Sequence, residues 1–206
     1  MTPTLECLEA REALALFQPL PVGNSSIFLR QPLGVAGVFV ADPALNDEVA
    51  FALATLNPLT FRPATARRPR LGVQLAWTDL QYRARVVVAY DPSLPAHVAG
   101  EARPAISGSG FTIGPTVVAI NPNLKPGVSE KWVVVHEIGH ALGLAHPRAL
   151  NPAAVDCVMQ GKAQQFREPV VSYDMAVSLH TLYLRPKFQG EYRDNHPHSE
   201  KVFVRR

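Results

Sequence analysis

Residues 136–146 read HEIGHALGLAH, and this run constrains the chain more than any other. His136 and His140 are four apart, so on a helix their imidazoles share one face, one turn apart, close enough to bind a common ion. His146 cannot join them from the same straight helix. Ten residues beyond His136 it would point about 80° away and lie roughly 15 Å further along the axis. The chain has to turn between His140 and His146. Gly143 stands where that turn is needed, and glycine readily takes the left-handed conformation that ends many helices. Three converging imidazoles suit a zinc ion that keeps its fourth position open for water. Glu137, next to the first histidine, projects toward that position, where a carboxylate can take a proton from the zinc-bound water and pass it on. The expectation is one catalytic Zn2+ held by His136, His140 and His146, with Glu137 as the base. The competing reading is a buried helix whose histidines fall at these spacings by chance. An HExxH pair alone would leave that reading open, and Gly143 with His146 makes the pattern specific.

The segments around this run predict a layered α/β domain. GVAGVFVAD (34–42), LGVQLAWTD (71–79), RARVVVAYD (83–91) and TVVAINP (116–122) read as strands rich in Val and aromatics. Asp42-Pro43 predicts a helix start, with Asp42 as N-cap, running to about Leu56. Ser129 is placed to cap a helix over 129–143, and a last helix is expected over 172–184. Residues 57–70 read as a loop, and 91–115 as irregular with one short strand near 105–113. Strand, helix, strands, helix, irregular segment, helix implies α/β (α+β) architecture with a mixed, mostly parallel sheet of four or five strands. Leucines at 5, 8, 14 and 16 suggest a short amphipathic helix before a Pro/Gly/Ser linker. The expected organisation is an N-terminal helix and linker at 1–33, a catalytic domain at 34–184, and a polar tail at 185–206.

Composition closes off other classes. The formal net charge of +3 is small and spread along the 206 residues, and the one tight basic cluster, Arg67-Arg68-Pro69-Arg70, reads as a solvated loop. A nucleic-acid partner is not expected. No apolar run reaches membrane-spanning length. The segment MTPTLECLEAREALALF lacks a basic n-region and carries three glutamates, so it does not read as a signal peptide, and the compartment is left unassigned. The two cysteines, Cys7 and Cys157, are compatible with one bridge or with two free thiols. His97, His180, His196 and His198 read as surface or capping residues.

The run at 136–146 resembles the zinc signature HExxHxxGxxH of the metzincin metallopeptidases, and the chain looks most like the matrixin type. That resemblance implies a metal-supporting methionine turn beyond the third histidine, matched here by Met159 in DCVMQG. It also implies a closing helix carrying Asp near its start and Leu-Tyr near its end, matched by Tyr173-Asp174 and Leu182-Tyr183. Gly161 stands where the astacin and serralysin types carry a tyrosine ligand, so that ligand is not carried over. The cysteine-switch motif and the loop for structural zinc and calcium are absent. What the resemblance implies is a zinc-dependent endopeptidase acting on a protein or peptide bound as an extended strand, with Ala105–Gly110 as candidate edge, and action outside the cell or at a surface. Two further readings stay open: a non-catalytic structural or virion-associated protein that kept the zinc fold, and a hydrolase of cell-wall peptides.

Overall fold

Along the central strands burial alternates. Ala36 and Val38, Val86 and Val88, and Thr116, Val118 and Ile120 are all 3% exposed or less. Alternate residues of a strand point to one face, so these seven define the side of a sheet that meets the helices. The computed structural model of the protein describes residues 34–66, 71–106, 112–146, 158–159, 169 and 171–184. In chain order the elements are β1 (Val35–Val40), α1 (Asn46–Thr60), β2 (Phe61–Arg62), β3 (Leu71–Gly72), β4 (Gln74–Trp77), β5 (Ala84–Tyr90), β6 (Gly100–Ile106), β7 (Thr112–Ile120), α2 (Glu130–Ala141) and α3 (Tyr173–Leu184). Five strands form one sheet in the order β4-β1-β5-β7-β6. β1, β4, β5 and β7 run parallel, and β6 is an antiparallel edge strand on β7. β2 and β3 make a separate short antiparallel pair.

The mixed, mostly parallel sheet agrees with the sequence reading, and several details correct it. The helix expected to stop near Leu56 continues through Pro58 to Thr60. Its last turn is tied to the neighbouring strand segment: Asn57 exchanges two hydrogen bonds with the Leu75 backbone, and Thr60 Oγ1 donates to Val73 O. Those ties hold the turn against the interruption a proline imposes. Asp42 does not cap the helix. Its side chain accepts from Tyr90 N at 3.0 Å, and a 3-10 turn over Pro43–Leu45 precedes α1. The single strand expected over 71–79 is divided at Val73, so that Leu71–Gly72 pairs with β2 and Gln74–Trp77 with β1. The short strand expected near 105–113 is instead two strands, with β6 beginning at Gly100 and β7 at Thr112. Gly100 and Pro104 hide β6 from a propensity reading, yet proline is tolerated on an edge, where its missing N–H faces away from the ladder.

α2 begins as expected: Ser129 accepts from Trp132 N. It is apolar nearly all round, with Trp132, Val133, Val134, Val135, Ile138 and Ala141 buried, the pattern of a helix enclosed on every side. α1 packs on one flank and β6 and β7 on another, while α3 packs against α1 and the β2–β3 pair. Each fully buried Val, Leu or Ile in this layer contributes about 1.5–3 kcal/mol, which fixes α2 as a platform. No helix among the described residues is long and apolar enough to cross a membrane. The N-terminal helix and linker, Arg67–Arg70, Cys7, Cys157, Gly161 and the tail from 185 lie outside the described residues.

Candidate metal centre

α2 delivers His136 and His140 on one face, as the four-residue spacing requires. After Ala141 the helix ends: Leu142 N and Leu144 N donate to Ile138 O and Gly139 O, and Gly143 takes φ +93°. A residue with a Cβ is strained in that left-handed region. The turn reverses the chain and returns His146 to the other two. The three Nε2 atoms stand 3.0 Å (His140–His136), 3.1 Å (His136–His146) and 3.1 Å (His140–His146) apart. Among the described residues this is the one group of three His, Cys, Asp or Glu side chains close enough to share an ion.

The outer nitrogens decide what those Nε2 atoms can do. His136 Nδ1 lies 2.6 Å from Val158 O, and His140 Nδ1 lies 2.7 Å from Leu144 O. A carbonyl only accepts, so both Nδ1 atoms carry the proton and both Nε2 atoms present lone pairs. Two lone pairs facing each other at 3.0 Å repel, and a cation between them turns repulsion into ligation. Two nitrogen ligands of a tetrahedral zinc with bonds of about 2.0–2.1 Å sit roughly 3.3 Å apart, near the observed spacing. Carbonyl partners on the non-ligating nitrogen are the usual device for orienting a metal-binding histidine. The residues therefore fit a metal. Neutral imidazole serves zinc, copper, nickel and iron alike, so the geometry suits a metal ion without selecting which one.

Electrostatics agree with the neutral forms. Burial pushes His136 down to about 3, helped by the nearby His140. His140 and His146 are lowered as well, in both cases chiefly by burial. Glu137 is 6% exposed, and burial pushes its carboxyl up to about 8, opposed by a hydrogen bond from the Ala102 backbone N–H. Its Oε1 is 3.9 Å from His136 Nε2, so the carboxyl group stands at the rim of the imidazole triangle.

All four chemistry-bearing residues expected from the sequence are thus brought together, with Gly143 at the turn. Met159 is fully buried beneath α2, its Sδ 2.5 Å from where a Cβ on Gly139 would be. Its neighbour Val158 is the residue that orients His136. Of the candidate substrate edge, Ala105 and Ile106 close β6, and 107–110 lie outside the described residues. The backbone partners at Leu144 and Val158 carry no side-chain signature and escaped the sequence reading. No protein-family model and no curated protein matches the chain.

Proposed function

We propose that the chain is a zinc-dependent endopeptidase of the metzincin type. The observation that carries this reading is the convergence of three Nε2 lone pairs, two of them oriented by carbonyls, with a buried carboxyl group 3.9 Å from the nearest. A pure structural zinc site is closed by a fourth protein ligand, whereas a catalytic one has three. The turn at Gly143 and the methionine under the helix match the resemblance noted above. When bound, zinc supplies a Lewis acid for the carbonyl, brings the pKa of water toward neutrality and favours the ionised form of Glu137.

His136, His140 and His146 hold the ion, and the carbonyls of Val158 and Leu144 keep the first two in the ligating tautomer. Glu137 takes a proton from the water that attacks the peptide carbonyl. As the C–N bond breaks, the same carboxyl group gives that proton to the departing nitrogen. The substrate lies extended along the open edge of β6, a general way to hold a peptide by its backbone.

The test compares zinc content and cleavage of a broad fluorogenic peptide library for the wild type and Glu137→Ala. One zinc per chain in both, with turnover reduced about 10²–10⁴-fold in the variant, is the expected result. Bound zinc with no turnover in the wild type would sink the peptidase reading.

A further inference from the structure

We infer that Asn121 is a positioning residue for the edge strand β6, along which the peptide lies in the proposed function. The inference rests on the peptidase reading for its effect on hydrolysis, and on hydrogen bonds alone for the clamp itself.

β5 and β6 lie on either side of β7, so the chain that joins them, residues 91–99, has to cross the end of β7. It does so without a helix or strand of its own, and Leu94 is its one buried side chain. Such a segment takes its shape from where its backbone groups are bonded. Leu94 N donates to Asp91 O and Val98 N to Pro95 O, which closes two tight turns. Asn121 ties the second turn to the sheet. Its backbone N donates to Ala99 O at 2.9 Å. Its Nδ2 donates to Val98 O at 2.9 Å and to Pro95 O at 3.2 Å. Its Oδ1 accepts from Asn123 N at 2.9 Å, at the start of the turn toward α2. Both amide N–H groups and the amide oxygen are thus used, in a residue that is 2% exposed.

β6 depends on an anchor of this kind. It pairs with β7 on one side, and no strand lies on its other side among the described residues. Its ladder is regular from Gly100 to Pro104 and shifts register between Pro104 and Ile106. The bond from Asn121 N to Ala99 O is the first rung, at the end away from that shift. A peptide that adds to β6 meets backbone groups whose places are set from this end. The ion pair between Arg103 and Asp91 also joins the loop to the strand, but Arg103 is 43% exposed, and an ion pair in solvent contributes little.

One reading of the clamp needs no variant. In the wild type the Asn121 side-chain amide protons should exchange, by NMR, about 100-fold or more slowly than those of the exposed Asn46. Asn121→Asp keeps the shape and the acceptor for Asn123 N–H and removes both donors. Zinc content should stay at the wild-type level, and the amides of Val134 and Val135 in α2 should stay as slow as before. The Glu101 amide, which shares the inward direction of Ala99, should exchange about tenfold faster. KM should rise about tenfold with kcat nearly unchanged, the pattern of lost uniform binding. That penalty should shrink as a fluorogenic peptide is shortened residue by residue, and vanish once the peptide no longer reaches β6. Asn121 side-chain protons as quick as those of Asn46 would overturn the inference, and so would a penalty equal at every peptide length. Slow Asn121 protons and a loosened Glu101 amide, in a protein whose wild type cleaves no peptide, would overturn the peptidase reading and leave the clamp standing.

Discussion

The candidate metal centre has two halves of different construction. His136 and His140 come from a helix enclosed in the core, and each is fixed through Nδ1 to a backbone carbonyl. His146 comes from the chain beyond a glycine turn and is exposed. The helix half is a product of folding. Burial of Val134, Val135 and Ile138 places its two imidazoles whether or not an ion is present. The third ligand depends on one backbone conformation at Gly143. The difference separates residues whose loss damages both fold and metal binding from those whose loss damages metal binding alone.

The largest effect should come from comparing His136→Ala with His146→Ala. His136→Ala leaves Val158 O without its donor and a cavity beside it, at about 2–4 kcal/mol. Its melting temperature should fall with and without zinc, and stoichiometric zinc binding should be lost. His146→Ala should lose zinc affinity by orders of magnitude, yet melt like the wild type once zinc is removed. Calorimetry of both variants with and without chelator is the check. Equal losses in the metal-free state would mean that the loop half is as much a part of the core as the helix half.

pH offers a second cut between structural and chemical roles, because two neighbours on α2 pull in opposite directions. The folded-state pKa of His136 is depressed to about 3. Between that value and its unfolded value near 6.5 the unfolded chain binds the extra proton, so metal-free stability rises with pH through that window. The folded-state pKa of Glu137 is raised to about 8. Its contribution is fully present below its unfolded value near 4.5 and is lost as pH rises through 8. The two slopes, each up to about 1.4 kcal/mol per pH unit, oppose one another where the windows overlap, and only the fall remains above it. His140 and His146, also lowered by burial, add to the rise below the unfolded imidazole value, so it is above that window, between about pH 7 and pH 8, that metal-free protein should lose stability. Glu137→Gln should remove that fall and uncover a steeper loss toward acid. Denaturant midpoints at a series of pH values read both. A wild type and Glu137→Gln with parallel profiles would show that burial does not control Glu137.

How much of this was legible in the residues follows from what each feature depends on. The histidine cluster, the carboxyl group beside it and the turn were readable because side-chain identity at fixed helical spacing is enough to bring them together. The parallel core strands were readable from runs of Val such as Val86-Val87-Val88. β6 was not, because an edge strand needs little propensity of its own: β7 pairs with it, and Pro104 faces outward. The extension of α1 past Pro58 was hidden because it depends on Asn57 meeting Leu75, 18 residues away. The orienting carbonyls were hidden for a related reason. Every residue has a carbonyl, and only the folded path of the chain selects Val158 and Leu144.

The smallest expected effect lies where α3 meets the end of the metal helix. Tyr183, 1% exposed, donates its hydroxyl to Leu142 O at 2.7 Å. That carbonyl is one of the last of α2, which have no partner within the helix. Burial raises the Tyr183 phenol well above its ordinary range, so the hydroxyl stays protonated and stays a donor. Tyr183→Phe keeps the ring and removes one buried hydrogen bond, costing about 1–2 kcal/mol of stability. The loosened carbonyl adjoins Gly143, so the turn that returns His146 should also relax. Zinc affinity should fall by about tenfold or less, while His136 and His140 keep their carbonyl partners. Melting and competitive zinc titration of the same sample separate the two. A drop in stability with zinc affinity intact would show that the turn holds its shape without help from α3.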